Sequence, residues 1–266
     1  AAIGAEQVNL VGVSYGTRVA LEYLRRHPDR TRTVVLDGVV PPELALGADH
    51  ARNLEAALDA HFARCAADAA CSKQFGSPRA RLDQLLAELR QQPQTIRFRD
   101  PLSDAEREEQ LTPAAVAGVV RLYAYVPQLA AMLPRSLAEA ASGRPEVLMS
   151  QAAMIESLVG EQITFGMQLS VICAEDLPGR DAPPPPAEDF GQGLAPLYRE
   201  ICAFWPRGEV PAAFRQVPPA LAPTLLLSGG IDPATPPRHA DRVARALGAK
   251  ARHEVVPNAA HGLLAL

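Results

Sequence analysis

A chain of 266 residues suits one sizeable domain, or a core with an inserted lid, and 48% apolar residues are enough to bury a real hydrophobic centre. Acidic side chains number 30 against 26 basic, so the net charge of −4 provides no electrostatic footprint for nucleic acid. No apolar run reaches the ~18 residues a membrane-spanning helix needs, so no membrane association is expected.

The opening stretch lacks the basic segment and cleavage site of a signal peptide, and residues 6–13, EQVNLVGV, read as a short buried strand. Ser14 follows at once. The segment TRVALEYLRRHP then puts Val19, Ala20 and Leu24 on one helical face and closes at Pro28. RTVVLDGVV is a second, β-branched strand. Strand, tight turn, helix and strand in so short a span predict a βαβ crossover and a parallel sheet. From residue 49 to 165 the apolar spacing is mostly three and four, which predicts a helical insertion, with QTIRFRD as a possible short edge strand. RDAPPPPAEDF reads as an extended proline-rich surface loop, and APLYREICAFWP as a helix. The α/β rhythm returns at residue 223: PTLLLSGG is a buried strand, RHADRVARALG a helix ending at Gly248, and ARHEVVPN a last strand before AAHG.

Three motifs carry chemistry. Gly12-Val13-Ser14-Tyr15-Gly16 is a G-x-S-x-G, a weak signal alone but placed here between a buried strand and an amphipathic helix. A turn that sharp forces the serine into strained φ/ψ and lifts its Oγ clear of the strand end. Asp232, in Gly229-Gly230-Ile231-Asp232-Pro233, lies just past a parallel strand, where it could accept an imidazole N–H; Asp37 is the rival acid. His261, in Asn258-Ala259-Ala260-His261-Gly262, follows the last strand by position, whereas His27, His50, His61, His239 and His253 read as ordinary helix or strand residues. The 29 residues from Asp232 to His261 leave room for one loop, helix, strand and loop, so both side chains should emerge at one edge of adjacent strands. The chain order Ser, Asp, His is that of the α/β-hydrolase fold. The expected chemistry is acyl transfer with Ser14 as nucleophile, His261 as base, Asp232 as acid and the Tyr15 N–H as an oxyanion donor, with no cofactor and no metal. Cys65, Cys71, Cys173 and Cys202 permit two disulfides in three pairings, or four buried thiols, and show no zinc-ligand spacing.

VNLVGVSYGTRVALEYLRRHPD with VVLDGVVPP, then CAED, PTLLLSGGIDPATPP and a final HG resemble the proline iminopeptidase-like hydrolases, and within them the tripeptidyl-aminopeptidase-like group. The resemblance covers residues 1–48 and about 166–262. It implies an α/β-hydrolase core in two parts, residues 1–48 and 166–266, with a helical cap at 49–165. It also implies removal of residues or short peptides from free amino termini, with simple esters as the alternative substrate. Glu175 and Asp176 become candidates for holding the substrate amine, and Tyr123, Tyr125, Phe165 and Trp205 either line the acyl pocket or are plain core. The resemblance further implies Cys65–Cys71 and Cys173–Cys202 disulfides and a periplasmic or secreted location.

Enzymes of that group carry several strands and a His-Gly-Gly-Pro-Gly-type loop ahead of the nucleophile, and no such loop occurs here. That loop normally supplies the second oxyanion donor, whose loss lowers rate roughly 10²- to 10³-fold. The strand at residues 6–13 is then expected to be an apolar edge. A separate N-terminal chain or a second copy in a homodimer would cover it, or the oxyanion site is rebuilt. An inert fragment or binding module is the non-enzymatic alternative.

Overall fold

The computed structural model describes residues 4–45, 47, 49–177, 194–219 and 221–265. Its core is a parallel sheet of four strands: β1 (Val8–Val13), β2 (Thr31–Asp37), β5 (Thr224–Gly229) and β6 (Ala251–Val256), in the order β1-β2-β5-β6. Helix α1 (Gly16–Arg26) makes the first crossover and α11 (Pro237–Leu247) the last. Both are amphipathic. Ala20, Leu21 and Leu24 of α1 and Ala240, Val243 and Leu247 of α11 bury their faces against Val34, Leu36 and Leu226 of the sheet. Gly248 ends α11 with φ 69°, a conformation in which a Cβ would be strained.

The register decides where chemistry can sit. Val13 lies beside Asp37, Asp37 beside Leu227, and Gly229 beside Val256, so all four strands end along one edge. Ser14 follows β1, Asp232 follows β5 and His261 follows β6, which brings all three to the carboxyl edge, where open α/β sheets bind ligands. β1 is an outer strand of this sheet, and Val11 on it is 62% exposed.

Between β2 and β5 come α2 (His50–Ala67), α3 (Ala69–Phe75), α4 (Pro78–Gln91), β3 (Gln94–Arg99), β4 (Glu106–Leu111), α5 (Pro113–Ala124), α6 (Pro127–Ala130), α7 (Leu133–Ala141), α8 (Glu146–Gln162), α9 (Phe165–Val171), a π-helical turn (Ile172–Asp176) and α10 (Leu194–Cys202). Residues of α2, α4, α5, α7 and α8 build a hydrophobic core of their own, including Leu58, Leu86, Leu89, Val120, Tyr123 and Leu137. The insertion is mostly helical, with β3 where QTIRFRD predicts a short edge strand; its partner β4 is not expected from the sequence. β3 and β4 pair antiparallel, from Gln94 opposite Leu111 to Arg99 opposite Glu106. EREEQL is too charged to read as a strand by hydrophobicity. It pairs because alternate residues face opposite ways: Leu111 joins Phe98 in the insertion's core, while Arg97 and Glu108 form an ion pair on the wet face. Cys65 bonds to Cys71 and Cys173 to Cys202. The proline-rich segment RDAPPPPAEDF lies outside the described residues.

Candidate active site

Ser14 has φ 53°, one of two non-glycine residues with positive φ among the described residues. Such backbone strain is worth ~1–3 kcal/mol and persists only where neighbours over-determine it. Here the Ser14 N–H donates to the Asp37 carbonyl at 2.9 Å, and the Ser14 carbonyl accepts from Thr17 N at 3.0 Å and Thr17 Oγ1 at 2.7 Å. Among the described residues, no acceptor takes the Tyr15 N–H. The two motif glycines have different reasons to be glycine. A Cβ on Gly12 would stand 2.4 Å from the Gly16 carbonyl oxygen, whereas a Cβ on Gly16 meets nothing within 4 Å. Gly12→Ala is therefore expected to lower the unfolding free energy by ~1–3 kcal/mol in urea melts. Gly16→Ala should stay within ~0.5 kcal/mol of the parent. Equal effects of the two substitutions would refute this account of the turn.

The acid and base stand together. His261 Nδ1 lies 2.8 Å from Asp232 Oδ2. The same oxygen accepts from Thr235 Oγ1 at 2.9 Å, and Asp232 Oδ1 accepts from the N–H groups of Ala234 and Thr235 at 2.7 and 2.8 Å. Burial pushes the Asp232 carboxyl upward, but the His261 hydrogen bond and charge, with the two backbone donors, outweigh it and hold its pKa below the ordinary value. With Nδ1–H directed at this carboxylate, Nε2 is left as the basic nitrogen. Close backbone approach makes the arrangement possible. A Cβ on Gly229 would overlap the Ala260 carbonyl oxygen at 2.0 Å, and one on Gly38 would come within 3.0 Å of His261 Cε1.

Ser14, Tyr15, Tyr125 and Thr235 line one cavity of about 150 Å³, and the Tyr125 ring meets His261 edge-on at 5.1 Å between centroids. Among the described residues no hydrogen bond joins Ser14 to His261. Asp37, the rival acid, is fully buried and turned elsewhere: its Oδ2 accepts the Leu264 N–H at 2.7 Å, which anchors the chain just after His261. Of the aromatic candidates, Tyr125 reaches the cavity. Tyr123 is core, Phe165 is exposed, and Trp205 packs on the Cys173–Cys202 cluster.

Glu175 and Asp176 also arrive at this edge, but already partnered. Arg18 Nη1 donates to Glu175 Oε2 at 3.2 Å and Asp176 Oδ1 at 2.9 Å, and the Tyr15 hydroxyl donates to Glu175 Oε1 at 2.8 Å. Burial first, and then the Glu175 bond, keep the Tyr15 hydroxyl protonated far above its usual range. Two neighbours of the candidate site escaped the sequence reading. Thr235 stands in a D-x-x-T turn whose side chains bond locally, which was the available signal. His50 lines the cavity, and burial with the nearby Arg121 charge pushes its pKa down to about 4, so it is neutral at physiological pH.

A second Ser–His–Asp set lies apart from the cavity. His253 Nδ1 is 2.8 Å from Asp241 Oδ1, and its Nε2 is 3.0 Å from Ser228 Oγ. Ser228 is fully buried, so no substrate can reach it, and the set instead pins α11 to β5 and β6. Ser228→Ala should lower stability by ~1 kcal/mol yet leave fluorophosphonate labelling of the folded chain unchanged. Loss of labelling would make Ser228 the reactive serine.

A strained serine after the first strand and a hydrogen-bonded Asp–His pair after the last two, on one edge of a parallel sheet, define an α/β-hydrolase architecture. The sequence profile of the alpha/beta hydrolase fold family matches residues 1–265, and the chain belongs to that family. It is similar to serine protease Hip1 of Mycobacterium tuberculosis (strain ATCC 25618 / H37Rv) and of Mycobacterium bovis, with 27% identity over 267 residues, covering 89% of this chain and 49% of the relative in each case. The chain thus spans about half the length of the curated relatives it matches. Similar solved structures include a serine hydrolase from Cycloclasticus zankles (15% identity, TM-score 0.33, 98% of this chain and 59% of that chain) and carboxylesterase CesB from Bacillus subtilis (13%, TM-score 0.33, 97% and 55%).

Proposed function

We propose that this chain carries the catalytic machinery of a serine hydrolase that acts on peptides with free amino termini. The observation that carries the reading is the His261–Asp232 hydrogen bond, placed at the same sheet edge as a serine held at positive φ. In the reaction, Ser14 Oγ attacks the substrate carbonyl carbon while His261 Nε2 takes its proton. Asp232 stabilises the imidazolium, and the Tyr15 N–H stabilises the oxyanion. The imidazolium then protonates the leaving amine or alcohol, and water, deprotonated by His261, hydrolyses the acyl-enzyme. This needs Ser14 to turn its hydroxyl onto Nε2, a contact that commonly tightens only when substrate binds.

The acidic pair supports an amino-terminal substrate. Two carboxylates share the single guanidinium of Arg18, and one of them, Asp176, lines the cavity. The ester reading also has an observation in its favour: both Glu175 oxygens are already engaged, by Tyr15 and Arg18. Alanine p-nitroanilide, its N-acetylated form and p-nitrophenyl acetate separate the two. Peptidase action predicts turnover of the free-amine anilide and little of the blocked one. Turnover of the ester alone would overturn the peptidase assignment in favour of a carboxylesterase.

The remaining proposals concern setting. The open edge of β1 is covered in the working protein by further polypeptide, either an N-terminal part outside residues 1–266, as a separate chain or not, or a second copy. An isolated, soluble, active monomer of these 266 residues in sedimentation would exclude both. Two disulfides favour a periplasmic or secreted location.

A further inference from the structure

The proposed reaction uses the Tyr15 N–H, and what aims that N–H is a separate question. The Ser14–Tyr15 peptide unit is anchored at its carbonyl by Thr17. The outer side of the turn is anchored through the Tyr15 side chain, whose hydroxyl donates to Glu175 in the π-helical turn at the end of the insertion. Glu175 is in turn held by Arg18, one helical turn after Ser14 and only 3% exposed. The second amino group of the same guanidinium donates to the carbonyls of Leu44 and, at 3.4 Å, Pro41. One buried fork therefore joins the nucleophile helix, the loop after β2 and the acidic turn, all of which contribute to the cavity at Ser14.

We propose that Arg18 is a positioning residue of this hydrolytic site: through Glu175 and the Tyr15 hydroxyl it fixes the orientation of the peptide unit that presents the Tyr15 N–H to the developing oxyanion. This rests on the serine-hydrolase reading above. The physical case is one of restraint. A turn held at φ 53° relaxes wherever it is untied, and a buried guanidinium keeps two adjacent carboxylates in place against their mutual repulsion. Arginine suits the task because its planar donors reach two carboxylates and two carbonyls at once, which a lysine point charge does not do. A merely structural ion pair would bind the insertion to the core without touching the rate of the chemical step.

The test uses the full chain and p-nitrophenyl acetate, which has no amine for the acidic pair to hold. Tyr15→Phe and Glu175→Ala should each lower kcat roughly tenfold, part of the 10²–10³ expected when an oxyanion donor is lost outright, with KM within about twofold. Because both cut the same link, the double variant should fall no further than either single one. Arg18→Lys should show the same kcat loss. Folded Tyr15→Phe or Glu175→Ala protein with kcat within about twofold of the parent, or losses that multiply, would overturn the proposal. Should Arg18→Lys fail to fold, the Tyr15–Glu175 cycle decides by itself. A parent chain that neither turns over the ester nor reacts with a fluorophosphonate overturns the hydrolase reading, and this inference with it.

Discussion

Ser14→Ala is expected to abolish fluorophosphonate labelling and to lower hydrolysis of any accepted ester or arylamide by ~10⁴- to 10⁶-fold. The effect is this large because in the proposed reaction the Ser14 oxygen is the atom that forms the covalent bond. Among the described residues, the serine hydrogen-bonded to a His–Asp pair is Ser228, and it is sealed in the sheet with no exposed surface. Alanine must also adopt φ 53° at this position, so the strain of the turn stays in the variant and stability should change by less than ~1 kcal/mol. Intact folding with lost labelling is therefore the expected pair of results, read by circular dichroism and by mass spectrometry of the labelled peptide. A variant that still labels at the parental rate would remove Ser14 from the mechanism.

Asp232→Asn should keep the fold and lower kcat by ~10⁴-fold, the scale set by the same change in a Ser–His–Asp protease. The carboxylate now receives four hydrogen bonds, from His261 Nδ1, Thr235 Oγ1 and two backbone N–H groups. An amide has one accepting oxygen, so its NH₂ must face donors or hold the imidazole in the wrong tautomer. Losing charged hydrogen bonds should also destabilise the protein by ~1.5–3 kcal/mol at neutral pH. That difference has a defined pH dependence. The native pKa of Asp232 is depressed, so its contribution is complete above the ordinary carboxylate range and disappears as pH falls through the native value. Urea midpoints at about pH 7 and about pH 3 should thus show the parent converging on the variant in acid. A gap that is the same at both pH values, or a kcat within tenfold of the parent, would show that Asp232 is not the ionised partner of the base.

Local pattern and distant contact divide the site cleanly. The strand–Ser–helix unit was legible because a buried strand, a G-x-S-x-G and a helical stripe follow one another within a few residues. Asp232 and His261 were legible from their place after two successive strands, and those strands pair directly, Leu226 beside His253. What was missed depends on residues far apart in the chain. Arg18 reads as one charge on an amphipathic helix until Glu175 and Asp176, over 150 positions away, arrive beside it. His50 reads as an ordinary helix residue until Tyr125 and Ser14 close a cavity around it. β4 was unreadable because its run of charges hides an alternation that only the hairpin completes, with Arg97 paired to Glu108 and Phe98 opposite Arg107.

By itself the sequence determined the fold class and the crossover that creates the tight turn at Ser14, and it offered Ser14, Asp232 and His261, in that order, as the candidate residues. Each of these depends on backbone preferences and apolar periodicity, which act over a few neighbouring residues. The tertiary structure alone decided that Asp232 rather than Asp37 faces the histidine and that Ser228 is sealed while Ser14 is open. It also decided that a single buried guanidinium ties the acidic pair to the nucleophile helix. Those outcomes turn on burial and on which donors meet which acceptors, and both are set only when segments remote in the chain pack together.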